Sequence, residues 1–397
     1  MLTFVPISDG PTVVETGEVT WAARASEVAH RKCRDEGKVE YVWVESAVQM
    51  TASRQPTRPV TMQDIARAAG VSQSTVSRVL NDTPTSVPIA AETRERVQEV
   101  ARRLGYRPNP LARGLRGART MLLGVIVREI TDPFFAMAIE ALSTEALARG
   151  YNVVLGSAHS KADEAIALKA VLETRHCDAI LLLGDMRDEP KFLEDLRASQ
   201  TPVIALWHGT ELDGVSTVNI DNREGMVAGI DHLIDLGHRH IAFIGGRPLG
   251  DIRERRTAYL ERLAEKGLVV PEGYVQEVTN DPAGGDSALR ALMGLETPPT
   301  AVICSTDHLA IGVLHTAAEL GIQVPGGLSV VGFDDIPMAS YTVPSLTTIH
   351  MPVAEMTSIA ARLAMDEAET DADGGMANFV VTPNLVVRKS TGEAAGA

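Results

Sequence analysis

From Met121 onward, short apolar runs without strict in-out alternation recur along the chain, most of them separated by amphipathic stretches. They read MLLGVIV, NVVLGSA, AILLLG and PVIALW, then HIAFIGG, VQEV, TAVICS and LSVVGF. Strands of this kind are buried on both faces, which requires a parallel sheet covered by helices on either side. The two series imply two doubly wound halves. A ligand is then expected at the carboxyl ends of the strands, in the cleft where the halves face each other. A chain of 397 residues has room for this body and at least one further domain. With 45% hydrophobic and 22% charged residues, it fits neither wholesale disorder nor a fibrous repeat.

Other classes fall away on composition. The sequence has no run of 18 apolar residues, and its first residues, MLTFVPISDGPTVVETGE, lack a basic start followed by an apolar stretch. Neither a membrane span nor a secretory signal is expected, and the protein reads as soluble and cytoplasmic. Cys33, Cys177 and Cys304 are odd in number and widely spaced, which argues against a disulfide framework or a zinc site. No GxGxxG, GxxxxGK[ST] or GxSxG stands between a strand and a helix, and GGRPLGD lacks the needed spacing. No catalysis, metal or cofactor is therefore expected.

Charge is divided unevenly. The whole chain carries -15, yet residues 58–119 hold eleven arginines, no lysine and five acids, a net charge of +6. Residues 1–57 carry -2, so the remainder carries -19. A small basic module on a large acidic body is the asymmetry of a protein that meets nucleic acid at one end.

Within that module, VTMQDIARAAGVSQSTVSRVLN places Ile65, Ala66, Ala69, Val71, Val76, Val79 and Leu80 at helical spacing, interrupted at Gly70. Thr61 with Asp64 resembles a capping box, and Ser72 can cap a second helix. Glycine permits the tight turn of a helix-turn-helix. The second helix would expose Gln73, Ser74, Ser77 and Arg78, whose amide, hydroxyl and guanidinium groups can read base edges in a major groove. A third helix, AAETRERVQEVARRLGY, turns Val97, Val100, Ala101 and Leu104 inward. It leaves Arg94, Arg96, Arg102 and Arg103 for solvent or phosphates.

This string, followed by TRERVQEVARRLGYRPNPLARGLR, resembles the headpiece and hinge of the lac repressor family. The resemblance implies direct readout by Gln73, Ser74 and Arg78, with Thr75, Ser77 and Asn81 near phosphates. It extends the DNA-binding set to Thr61, Ser72, Asn109, Leu111, Ala112 and Leu115, the last as a wedge in the minor groove. Gly114 and the shortness of PLARGLRG make the hinge helix dependent on DNA for its order. The sequence departs from the family at the longer NDTPTSVPIAAET loop. It departs again at Ala90, where a capping serine is frequent and whose loss costs about 1 kcal/mol.

The body from about Leu122 to Arg388 resembles the type I periplasmic sugar-binding fold that this family uses as its effector domain. The strings TDPFF, VNIDN, GHRHIAFIGG, STDHLAIG, SVVGFDD and PSLTTI carry the likeness. It implies an effector held by Arg255, Asp334, Asp307 and Asp132, with Phe134 and Phe135 as an aromatic wall. Other readings stand beside these. Arg255 or Asp307 can serve a helix start or a cross-domain salt bridge, Phe134 and Trp207 can be core, and Asp335 reads as structural. Trp207 and His208 replace an Asp-Arg pair that many relatives show, and their flat ring and imidazole suggest an effector that stacks.

The expected organisation is an N-terminal extension over 1–57, poorly ordered, and a helix-turn-helix DNA-binding domain over 58–107. A hinge over 108–119, an effector-binding and dimerisation domain over 120–390 and a polar tail over 391–397 follow. Within the extension, WAARASEVAHRKCRDEG can form a helix and VEYVWVES is a short apolar run. Met50 stands where a typical family N-terminus would begin, so residues 1–49 read as an upstream extension or dispensable tail, with a partner-binding arm as the alternative.

The resulting fold class is an all-α helix-turn-helix domain followed by an α/β periplasmic-binding-protein-like domain. The function expected is a sequence-specific regulator, a repressor of carbohydrate uptake or metabolism genes. Its partners are a palindromic duplex operator, a second copy of itself and a small effector, a sugar or sugar phosphate. A purine or other metabolite is the alternative effector, and a non-exported sugar-binding protein the alternative function. The tail has no sustained heptad, so a dimer is expected rather than a tail-zipped tetramer.

Overall fold

The structure, a computed structural model, describes residues 30–33, 39–42, 60–80, 89–106, 119–159, 161–174, 177–185, 194–196, 198–207, 209, 214–369 and 376–394. Met1–Arg107 and Pro108–Ala397 are two separate compact units.

In the first unit, β1 (His30–Cys33) and β2 (Val39–Val42) pair antiparallel, from His30 opposite Val42 to Cys33 opposite Val39. The helix expected over residues 21–37 is thus replaced at its C-terminal part by a strand. Val39, Tyr41 and Val42 favour extended backbone and offer the His30–Cys33 segment a ladder partner. The other expectations for residues 1–57 lie outside the described residues.

Three helices follow: α1 (Met62–Ala69), α2 (Gln73–Leu80) and α3 (Ala91–Arg103). Their inward faces, Ile65, Ala66, Ala69, Val76, Val79, Val97, Val100 and Ala101, make one buried cluster. Val71, Leu80 and Leu104 pack at its margin. Each helix is too short to stand alone in water, so mutual burial of these stripes holds the unit together.

The second unit contains two six-stranded sheets. The first half orders its strands β4 (Asn152–Ser157), β3 (Leu122–Val127), β5 (Ala179–Leu183), β6 (Val203–Leu206), β7 (Ser216–Ile220) and β13 (Asn378–Val381), all parallel. The second half orders β9 (Val275–Glu277), β8 (Ile241–Gly245), β10 (Ala301–Cys304), β11 (Ser329–Asp334), β12 (Thr347–His350) and β14 (Asn384–Val386). Only β14 runs antiparallel to its neighbour. Strands β5, β6, β8, β10 and β11 are buried along their whole length, as the apolar runs within them require.

The helices of this unit are α4 (Pro133–Ala148), α5 (Ala162–Thr174), α6 (Asn222–Asp235), α7 (Gly250–Glu265), α8 (Pro282–Met293), α9 (Asp307–Glu319) and α10 (Val353–Glu369). The chain crosses between halves three times. It leaves β7 for α6, which packs on the second sheet; it returns from β12 to α10, which packs on β5, β6 and β7; and it passes from β13 to β14.

Candidate functional sites: the helical head and the cleft

The start of α1 is fixed by the expected capping box. The Thr61 hydroxyl accepts from the Asp64 amide at 3.3 Å, and Asp64 Oδ2 accepts from the Thr61 amide at 2.9 Å. Gly70 ends the helix with φ 67°, the left-handed conformation that glycine takes without steric cost. Ser72 Oγ accepts from the Thr75 amide at 3.1 Å, and hydrogen-bonds the hydroxyls of Ser74 at 2.7 Å and Thr75 at 2.8 Å.

On α2, Val76 and Val79 are buried while Gln73, Ser74 and Arg78 are exposed; Thr75 and Ser77 are half-buried. The helix therefore offers one amide, one hydroxyl and one guanidinium on a single outward surface. Asn81, Asn109, Leu111, Ala112 and Leu115 lie outside the described residues.

The basic residues of α3 have divided roles. Arg96 Nε donates to the Ala69 carbonyl at 3.1 Å, so it satisfies the open C-terminus of α1 rather than standing free for a phosphate. Arg102 pairs with Glu99 at 2.7 Å. Ala90 provides no side-chain cap, as its residue type dictates.

In the body, a cavity of about 610 Å³ opens between the halves at the carboxyl ends of β3, β8 and β9. The first half contributes Arg128, Glu129, Thr131 and Asp132, and the second contributes Arg247, Glu277, Thr279, Asn280, Asp281 and His308. Asp132 caps α4, accepting from the Phe134 amide at 3.0 Å, and is the one expected effector residue that lines this cavity. His308 Nδ1 is buried there without a hydrogen-bond partner. Sequence reasoning missed Arg128, Arg247, Asn280 and His308 as lining residues. His308 sits within the quoted STDHLAIG string, next to the Asp307 that the reading preferred.

Arg255 lies deeper and is occupied by the protein itself. Its Nε donates to Asn222 Oδ1 at 2.8 Å and one terminal nitrogen to the Ser305 carbonyl at 2.6 Å. That nitrogen also meets Asp334 Oδ1 at 3.3 Å. Both charged side chains are about one-twentieth exposed. Desolvation pushes the Asp334 carboxyl well above its ordinary range, against the opposing pull of Arg255.

Asp307 is fully buried. Its Oδ2 accepts from the Ile336 amide at 2.9 Å and its Oδ1 from the Thr348 hydroxyl at 2.5 Å. Burial raises its pKa to about 7. A methyl group on Gly332 would meet that Oδ1 at 2.1 Å, so only glycine lets the strand pass. Asp335 binds Arg388 at 2.6 Å and His350 Nδ1 at 3.0 Å, in keeping with a structural role.

The three aromatic residues pack on one another. Phe134 lies edge-on to Trp207 at 4.9 Å and to Phe135 at 5.4 Å between centroids. Trp207 Nε1 donates to Met356 Sδ at 3.2 Å. All three are buried and none lines the cavity. His208 lies outside the described residues.

Residues 61–109 match the bacterial regulatory proteins of the lacI family, and residues 230–391 match a periplasmic binding protein-like domain. The chain is 33% identical to catabolite control protein A of Priestia megaterium over 308 residues, which cover 77% of this chain and 91% of the relative. The chain belongs to the lacI family of bacterial regulatory proteins. A second lacI-family relative, the HTH-type transcriptional repressor CytR of Escherichia coli (strain K12), is 34% identical over 346 residues, 86% of this chain and 99% of the relative.

Among solved lacI-family structures, the lac repressor dimer bound to operator and the anti-inducer ONPF superposes with a TM-score of 0.74. It has 25% identity and covers 84% of this chain and 100% of that one. The transcriptional regulator CelR in complex with cellobiose gives a TM-score of 0.63 at 30% identity, with 84% and 100% covered. The expected fold class, a helical head followed by two parallel-sheet halves, is thereby established.

Proposed function

We propose that this lacI-family chain is a transcriptional repressor that reads operator DNA through Gln73, Ser74 and Arg78. We further propose that a small effector in the cleft between its halves governs that binding. The observation that carries the reading is the outward surface of α2. Its polar groups stand exposed on a helix held from behind by Val76 and Val79, as insertion into a major groove requires. Regulatory relatives matched over nine-tenths or more of their own length and the lac repressor dimer bound to operator support it.

A palindromic operator and a homodimer follow from that likeness, with the chain working in the cytoplasm on the chromosome. Among the described residues no helix is long and apolar enough to cross a membrane. Regulation rather than catalysis is the activity proposed, as in the relatives.

For the effector, the cavity lining favours a hydroxyl-rich molecule over a nucleobase. Among the described residues no Phe, Tyr or Trp lines it, while Thr131, Asp132, Thr279, Asn280 and two arginines do. A base gains most from an aromatic face to stack on, whereas sugar hydroxyls are met by donors and carboxylate acceptors. An effector that prefers one arrangement of the halves shifts their equilibrium, and DNA affinity follows by linkage.

The test takes fragments selected from the genome by the purified protein. Arg78→Ala should lower preference for the selected operator over random duplex by about 1–3 kcal/mol. Undiminished preference removes Arg78 from the readout. A thermal-shift panel of sugars and nucleobases tests the effector separately, and stabilisation by nucleobases alone overturns the sugar assignment.

A further inference from the structure

Asn280 stretches from one half of the cleft to the other. It leaves β9, in the second half, and its Nδ2 donates to Asp132 Oδ2 of the first half at 3.0 Å. Its Oδ1 accepts from the Thr306 hydroxyl at 2.7 Å. Both end groups are themselves anchored. Asp132 spends its other oxygen on the Phe134 amide at the start of α4, and Thr306 Oγ1 accepts from the Leu309 amide at 3.3 Å at the start of α9.

These anchors leave the amide one satisfactory orientation. The carboxylate of Asp132 can only accept and takes the amide hydrogen, which turns the amide oxygen towards Thr306, whose hydroxyl then donates to it. Two helix N-caps, one in each half, are thus joined by a single side chain across the mouth of the cavity.

We propose that Asp132, Asn280 and Thr306 form a latch that holds the two halves closed, and that opening of the cleft requires Asn280 to release Asp132. The inference rests on the cleft being the effector site for its regulatory meaning. The latch itself, however, acts without any effector. Its strength comes from a charge-assisted bond in a partly desolvated setting, where the amide faces both a carboxylate and a fixed hydroxyl.

The test uses the full-length chain without ligand. Spin labels on exposed positions of the two halves, Val171→Cys in α5 and Val269→Cys beyond α7, report the distance across the molecule, with Cys33→Ser to keep labelling specific. With labelled chains diluted into an excess of unlabelled ones, so that spin pairs arise within one chain of the dimer, the latched protein should show one dominant distance. Asn280→Ala should shift at least several-fold more of the molecules to a second distance.

Asn280→Asp keeps the shape and sets two carboxylates face to face. They repel at pH 8 and can share a proton at pH 5, so its distance distribution should open at the higher pH and close at the lower. The cavity also presents Arg128, Arg247, Glu129, Glu277, Asp281 and His308, and the unsubstituted protein measured at both pH values accounts for their titration.

Distributions for Asn280→Ala and Asn280→Asp that match the unsubstituted protein at both pH values overturn the latch. Failure of every sugar to bind would overturn the effector assignment and leave these distances untouched.

Discussion

Arg255 stands over the ring of Phe333, 3.6 Å from its centroid, at the centre of the second half. The same guanidinium meets Asp334 from the neighbouring residue of β11 at 3.3 Å. A buried cation is tolerated here because a ring face, a carboxylate, a carbonyl and an amide oxygen surround it together.

The first prediction concerns that cation. Arg255→Met leaves Asp334 buried without its partner, and breaking such a pair costs about 3–5 kcal/mol. Urea unfolding at neutral pH should show the loss. With the cation gone, nothing offsets the desolvation that already raises the Asp334 carboxyl. The variant therefore takes up a proton more readily, and its deficit should narrow as pH falls. A loss below about 1 kcal/mol at pH 7 would mean that the surrounding hydrogen bonds, and not the pair, hold this region.

Much of this architecture was legible from the sequence because two-face burial writes itself as unbroken apolar runs. The strands from MLLGVIV to LSVVGF lie where those runs stand, and Gly70 breaks α1 from α2 where expected. Strands β13 and β14 were not legible. They are separated by only Thr382 and Pro383 yet belong to different sheets, so a linear reading merges them into one tail segment.

The site was read less completely, for a physical reason. Arg255, Asp334 and Asp307 are polar residue types that suit a ligand, but sequence cannot tell whether the protein already satisfies them. In the structure, Asn222, Ser305, Ile336 and Thr348 supply their partners. Asn280 carries no motif and comes to Asp132 only through the folding of two distant loops.

The second prediction tests the turn of the head. A side chain at Gly70 would meet nothing within 4 Å, so the penalty there is backbone strain alone, about 1–2 kcal/mol for a non-glycine residue in the left-handed region. Gly70→Ala should destabilise the three-helix unit by that amount, and Gly70→Asn by less, because asparagine tolerates the conformation. Hydrogen exchange at the Val71 amide, which donates to the Ala66 carbonyl at 3.1 Å, reads the effect in the full chain. Equal protection in all three proteins would show that the turn does not require positive φ.

The third prediction is a pH dependence centred on Asp307. Its folded pKa is raised to about 7 by burial, against about 3.9 in an unfolded chain. Between those values the folded state binds the extra proton, so stability falls as pH rises through this window. About three pH units at 1.36 kcal/mol each correspond to about 4 kcal/mol lost from this group between pH 4 and 7. Asp307→Asn keeps an acceptor for the Ile336 amide and removes the titration. Relative to the unsubstituted protein, the variant should be less favoured near pH 4.5 and gain stability steadily up to pH 7.5 in urea unfolding. A difference that stays constant across that range would show that Asp307 is charged in the fold throughout, held by its bonds to Ile336 and Thr348.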